Sequence, residues 1–467
     1  MFPKVYGLRK KVNRMVKPSY KLGAYRTGGV RVMAAYDAII IGGGFSGLAA
    51  ARELSANGCH PLVLEAKNRL GGRAWTDERL GKKLEMGGTW FHWYEPHIWS
   101  EITKYNLETT QHVKVETLQW HNGKSVKKVP LNLLYTFLEK RMKTLTDEAS
   151  FYFPNPYRPL EQQEKLLEID GLSTRDRLNR MKLTSSEYEW MDSLWSLIFH
   201  GRTEEASYTH SLRWLALSMN DWKRLLETFS AFQLTNGTKE LISCIAADVK
   251  GDIHLSSEVT AVEKQKDETY AVTTQAGETF HGNTVIVTLP PPVIQNVAFS
   301  PPLSSVKRQA GKEKAVSRGV KVWVRIKSSP EPFIAAAPAH FPLNYIQYEY
   351  EDEDGSFLVC FGSDAGKLDV SNISDVEDAV HRILPDVEIM DCAGHDWTRD
   401  KFAGQTWSMH GKNQLTRYHM ELNREENGIF LAGDSLADGG AGLMDGALES
   451  GIKTAGKVRN YIIQHLK

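Results

Sequence analysis

The stretch YDAIIIGGGFSG, residues 36–47, limits the fold more than any other part of the chain. Ala38-Ile39-Ile40-Ile41 is an unbroken apolar run, as expected of a parallel strand covered on both faces. Gly42, Gly44 and Gly47 follow it as G-x-G-x-x-G. In such a turn the first glycine permits the tight bend and the second lets a pyrophosphate approach the backbone. The third allows helix to pack on strand. GLAAARELSAN then predicts a helix, with Asn57-Gly58 as its stop. The N-terminus of that helix offers free N–H groups and a positive dipole end to an anion. PLVLE predicts a second strand that ends at Glu65, 18 residues after Gly47. A carboxylate there accepts hydrogen bonds from an adenosine ribose and repels a 2′-phosphate. A lone glycine motif is weak evidence. Strand, turn, helix, strand and acid in this order predict a dinucleotide-binding βαβ unit.

Further glycine-rich pieces bear on which dinucleotide it is. NRLGGRAWT follows Glu65 closely and carries Arg69, Gly71, Gly72 and Arg73. It supplies close backbone approach plus a guanidinium for a pyrophosphate. MGGTW, residues 86–90, repeats the device. Near the C-terminus, GIFLAGDSLADGGAGLMDGALESG predicts a strand, a glycine-rich loop and a helix. A helix N-terminus aimed at a flavin pyrimidine ring would favour its anionic reduced form. Each piece alone could be an ordinary loop. Together they describe one long, permanently held ligand touched by both ends of the chain.

At 467 residues the chain is too long for one compact core. Its composition is globular, with 41% hydrophobic and 24% charged residues. No apolar run is long enough to cross a bilayer. The formal net charge is zero, which gives no general reason to expect nucleic acid. Four dispersed cysteines form no CxxC, which argues against a zinc site or disulfide scaffold and suits a reducing, cytoplasmic setting. The charge is uneven. Residues 1–35 hold nine Lys or Arg and no acid, leaving −9 on the remainder. This basic arm reads as a solvated segment or as a targeting or membrane-surface segment.

The sequence resembles the flavin-containing amine oxidases, the monoamine oxidase family. The similarity is carried by IIIGGGFSGLAAAREL, LEAKNRLGGRAWT, EMGGTWFHW, RWLALS, GVKVWVRI, HDWTRDKFAGQTW and LAGDS…MDGALESG, in family order. Within the family the sequence is similar to bacterial nicotine and pseudooxynicotine oxidoreductases and to fungal monoamine oxidase. The resemblance implies an α/β fold, with a Rossmann-type FAD-binding domain interleaved with an α+β substrate domain of mixed sheet and helices. The expected division gives 36–110, 235–310 and 400–467 to FAD, and 111–234 and 311–399 to substrate. The implied FAD contacts are Gly42, Gly44, Ser46, Gly47, Glu65, Ala66, Gly72, Arg73, Gly88, Thr89, Trp90, Val259, Trp397, Gly433, Asp434, Leu443 and Met444.

The implied chemistry is removal of a hydride equivalent from the carbon bearing nitrogen, followed by hydrolysis of the imine to a carbonyl compound. A dry pocket favours the neutral amine whose lone pair assists. The spacing of GVKVWVRI alone makes Lys321 a solvated lysine on a half-exposed strand. The resemblance instead makes Lys321 catalytic, holding a water against flavin N5 for reoxidation. It places Trp397 by the flavin ring and makes Trp407 a catalytic wall of the substrate cage, able to orient an amine through its ring face. Trp214 and Leu443 are the further substrate-binding expectations.

Three departures from the family pattern stand out. Thr406 occupies the position where some members tether FAD through cysteine, so non-covalent FAD is expected. Leu443 replaces the aromatic second cage wall, and Gly440 a common tryptophan. Ser435 stands in place of an acidic ribityl contact, with Asp434 just before it. The alternatives are an L-amino-acid oxidase, for which Arg202 or Arg213 would bind the carboxylate, and a desaturase acting on C–C bonds. The expected partners are a small-molecule amine, oxygen or a redox protein as electron acceptor, and a second copy in a homodimer.

Overall fold

The computed structural model describes residues 35–111, 115 and 117–465. The basic segment expected over 1–35 lies, but for Ala35, outside the described residues. The apolar run at 36–41 forms a strand at the centre of an eight-stranded mixed sheet. It pairs in parallel with Pro61–Leu64 on one side and Thr279–Val287 on the other. Pro61–Leu64 continues in parallel to Asp252–His254, and Thr279–Val287 also takes Ile429–Leu431 in parallel. Helix Phe45–Ala56 crosses between the first two strands and stops at Asn57, with Gly58 in the left-handed region. Its buried alanines let the C-terminal helix Met444–His465 pack closely against it. Strand, turn and both helices therefore meet at the C-terminal end of the central strand.

The segment 259–287 forms three strands, Val259–Lys264, Tyr270–Thr274 and Thr279–Val287. Tyr270–Thr274 folds back antiparallel on Thr279–Val287 through the turn holding Gly277 (φ +84°). Gly282 keeps the strand unbroken where it crosses Ile39, because an added Cβ there would press on that side chain.

A seven-stranded sheet runs in the order 389–394, 320–326, 355–362, 345–352, 334–336, 117–121, 126–130. The segment 111–234 carries helices Leu131–Tyr152, Ser185–Phe199 and Tyr208–Leu217, among others. It begins with the hairpin Thr117–His121 and Val126–Pro130. Lys127 and Lys128 stand exposed on that edge strand, the usual guard against edge-to-edge pairing. Trp195 and Trp214 anchor the helical core. Among the described residues no helix is long and apolar enough to cross a membrane.

Strand Val320–Ile326 departs most from its spacing. Val320, Val322, Val324 and Ile326 face one core, as their alternation predicts. The other face is also covered: Lys321 and Trp323 are 5% and 3% exposed. Trp323 belongs to a second cluster with Leu84, Met86 and Phe361, against which Trp90 packs. The half-exposed strand is thus a central strand, and its lysine is enclosed by the MGGTW segment.

Candidate active site

One large cavity brings the sequence-predicted residues together. The strand–turn–helix contributes Gly42, Gly44 and Ser46, and the second strand contributes Glu65 and Ala66. Gly72, Arg73, Gly88, Thr89 and Trp90 line it from the two glycine-rich turns, and Val259 from the hairpin. Lys321, Trp397 and Trp407 line it too, as do Gly433, Asp434, Leu443 and Met444. Gly47 and Trp214 do not. Gly47 does its work one layer back: a Cβ there would overlap Gly42 O, so only glycine lets helix and turn meet. Trp214 stands behind Trp407, with ring centroids 5.9 Å apart, and donates its indole N–H to Ala441 O at 2.9 Å. It lines a smaller adjoining cavity bounded by Phe229 and Leu443.

The nucleotide end has the features a dinucleotide requires. Gly42 adopts φ +111°, and Thr288 Oγ1 lies where a side chain on it would sit. Helix Phe45–Ala56 has no side-chain cap, and the buried Ser46 Oγ lacks a partner among the described residues. An uncapped N-terminus with an unspent hydroxyl suits a pyrophosphate. A Cβ on Gly72 would lie 3.4 Å from Gly44 Cα, so the two glycine turns face each other with no side chain between them. Glu65 is held in place: Gly43 N donates to its Oε2 at 2.6 Å and Lys67 N to its Oε1 at 2.8 Å. Burial raises its pKa, and those two N–H groups pull back toward the carboxylate form. Arg73 donates to Thr406 O at 2.9 Å and to Asp434 Oδ1 at 2.6 Å, tying the second turn to the closing loop.

The remaining walls are aromatic. Trp397 donates its N–H to Met86 O at 3.0 Å and sits edge-on to Trp75 and His395. Trp407 stacks on Phe229 at 5.3 Å and lies 5.9 Å from the His200 ring. Lys321 Nζ donates to Gly87 O at 3.0 Å and to Thr89 Oγ1 at 2.6 Å, 4.8 Å from the Trp90 ring. Burial lowers its pKa to about 8, opposed by the Glu85 and Glu349 carboxylates. His200 is buried, and desolvation lowers its pKa to about 4, so the ring is neutral. His200, Thr228, Phe229 and Phe361 also line the cavity. No sequence motif marks them, because they are brought in by helix ends and a strand remote from the glycine turns. Gly440 has no room for the tryptophan common at that place, since a Cβ there would press on Gly446 N and Asp445. Neither Arg202 nor Arg213 lines the cavity. Arg202 pairs with Glu204 nearer the surface, and the buried Arg213 donates to Ala437 O and to Asp438 O.

Residues 45–459 match the family model described as flavin containing amine oxidoreductase. The chain belongs to the flavin-containing amine oxidoreductase family. Its cofactor is FAD, and it is an oxidoreductase acting on amines. It is 34% identical over 443 residues to pseudooxynicotine dehydrogenase of a Pseudomonas species, covering 94% of this chain and 89% of that one. It is 30% identical over 431 residues to nicotine dehydrogenase of Pseudomonas putida, covering 91% and 89%. Its fold matches putrescine oxidase bound to putrescine with a TM-score of 0.79 at 19% identity, over 91% of this chain and 99% of that chain. Cyclohexylamine oxidase of Brevibacterium oxydans matches with a TM-score of 0.75 at 19% identity, over 92% and 99%.

Among the described residues no cysteine lines the cavity, and the Thr406 hydroxyl is engaged by Ser317. Acid precipitation of the purified yellow protein is therefore expected to release all its flavin. Flavin colour remaining in the washed pellet would show a covalent link.

Proposed function

We propose that this enzyme oxidises the C–N bond of an amine with a flat, bulky apolar body, and that the aromatic chamber around Trp407 selects it. The supporting observation is the one-sided cage: Trp407 offers an aromatic face, while Leu443 offers only an aliphatic one. A cage closed on one side leaves width for a ring substituent, in line with the ring-bearing substrates named for the two Pseudomonas relatives. When bound, FAD accepts the hydride equivalent. Trp407 orients the amine, and the surrounding apolar walls exclude water and favour the neutral nitrogen. Glu65 takes the adenosine ribose, the 44–47 turn and Arg73 take the pyrophosphate, and Lys321 acts at the flavin ring in reoxidation. The segments carrying the eight-stranded sheet form the FAD domain, and those carrying the seven-stranded sheet and helical cluster form the substrate domain. The electron acceptor is oxygen or a redox protein, the setting cytoplasmic, and the assembly a homodimer.

The test is anaerobic titration of the FAD-loaded full chain with benzylamine, N-methylbenzylamine, cyclohexylamine and L-leucine. Bleaching of the visible flavin absorbance by one or more of the amines, and not by L-leucine, is expected. Bleaching by L-leucine alone would replace the reading with amino-acid oxidation. No bleaching by any of the four would reject it.

A further inference from the structure

Ser317 lies in no recognisable motif and is fully buried just before strand Val320–Ile326. Three separate segments meet at its hydroxyl. His200 O lies 3.2 Å from Ser317 Oγ, Thr406 Oγ1 lies 2.6 Å away, and Trp407 N donates to it at 3.1 Å. A serine hydroxyl has one proton and two lone pairs. A carbonyl can only accept, so the Ser317 proton goes to His200 O. The lone pairs then take the Thr406 hydroxyl proton and the Trp407 N–H, and the group is fully used. The backbone repeats the clamp. Thr406 N donates to Ser317 O at 3.0 Å, and Gly319 N donates to His200 O at 2.8 Å.

Both residues held in this way are cavity walls. Trp407 is the aromatic face proposed to orient the amine. His200 sits at a helix end in the left-handed region (φ +49°), an uncommon place for a side chain of its size. Its Nε2 lies 2.7 Å from Val320 O, and its ring meets Trp407 at 5.9 Å and Phe361 at 5.7 Å. Removing the hydroxyl leaves the backbone bonds of the clamp but takes from the Trp407 and His200 segments the side-chain bonds that link them.

We infer that Ser317 is a positioning residue, whose hydroxyl sets the angle of Trp407 and His200 to the bound amine. The inference rests on the reading that Trp407 orients the substrate nitrogen. The FAD-loaded full chain is reduced anaerobically by whichever amine of the panel above bleaches wild type fastest. Ser317→Ala is expected to slow the limiting rate of flavin reduction roughly tenfold to a hundredfold. Reoxidation and FAD retention, which do not depend on the Trp407 angle, should stay within about twofold of wild type. A crystal structure of the variant should show the Trp407 indole turned from its wild-type position. Should Ser317→Ala fail to fold, Thr406→Val removes one arm of the clamp, and Thr406→Ser restores it. The valine variant should then reduce at least several-fold more slowly than the serine variant. Reduction of Ser317→Ala at the wild-type rate with an unmoved indole would overturn the inference, as would equal rates for the two Thr406 variants. Those results leave amine oxidation by wild type intact. If no amine bleaches wild type, the functional reading falls first, and the indole position in Ser317→Ala alone decides the role of Ser317.

Discussion

Lys321→Met is expected to slow reoxidation of the reduced enzyme by oxygen on the order of a hundredfold, while changing anaerobic reduction by an amine less than about fivefold. As electrons pass to oxygen, negative charge develops on it, and a fixed cation in a dry site stabilises that charge strongly. Lys321 is such a cation below its pKa of about 8. It spends two donors on Gly87 O and Thr89 Oγ1 and, when charged, keeps a third. Hydride removal from a neutral amine makes no comparable demand for a cation there. The two half-reactions therefore separate the role. Rapid mixing of dithionite-reduced enzyme with oxygenated buffer reads the first, and anaerobic mixing with amine reads the second. Equal reoxidation rates in variant and wild type would remove Lys321 from the oxygen reaction.

The same substitution carries a stability signature with a definite sign. The folded-state pKa of Lys321 lies below the ordinary lysine value of 10.5. Between about pH 8 and 10.5 the unfolded chain therefore binds more protons at this site, and the site adds stability as pH rises through that window. Below about pH 8 the folded protein carries the unfavourable buried charge in full. Methionine removes both the charge and the titration. Replacing a buried ion by an apolar side chain of similar volume is often neutral or stabilising. Lys321→Met should hence melt no lower than wild type at pH 7, and this site's rise in Tm above pH 8 should vanish. A variant that melts well below wild type at pH 7 would mean that the two hydrogen bonds outweigh the cost of burying the charge.

Lys321 also shows where sequence reading runs out. The pattern around Gly42, Gly47 and Glu65 is local: the turn, its helix and its acid lie within thirty residues, so spacing reports the geometry directly. The enclosure of Lys321 is not local. It depends on Leu84, Met86 and Trp90 folding over a strand more than two hundred residues later. Alternation within GVKVWVRI cannot report that cover, and only resemblance to relatives pointed to a site there. His200, Phe229 and Phe361 were less legible still. Each is an ordinary core residue by type, and each reaches the cavity through a helix end or a neighbouring strand. Thr406 and Leu443 were legible only as departures from a family pattern. What each departure does, a hydroxyl consumed by Ser317 and a wall without a ring, needed the packing around it.

Trp407→Ala is expected to lower the rate of flavin reduction by about a hundredfold, through loss of amine orientation. The indole is supported from behind by Phe229 and Trp214, so alanine leaves a gap that those two rings bound but do not fill as a flat wall. Leu443 has no ring quadrupole, so its contribution is shape alone. Leu443→Tyr would close the cage on its open side and narrow the chamber. The helical cluster behind Leu443 includes Trp214, and Phe229 packs against that cluster. The added ring therefore has to project forward into the cavity rather than back. Preference should shift toward slim primary amines and away from bulky or cyclic ones, by the roughly 1–3 kcal/mol that pocket shape usually discriminates. The measurement is the limiting reduction rate and the amine dissociation constant over a series of increasing bulk, from butylamine through cyclohexylamine to N-methylbenzylamine. A uniform loss across the series would mean that tyrosine damages the flavin site instead of reshaping the pocket. An unchanged ranking would place Leu443 outside the substrate's path and would leave Trp407 as a wall facing some other cavity residue, with Phe361 and His200 the candidates to test.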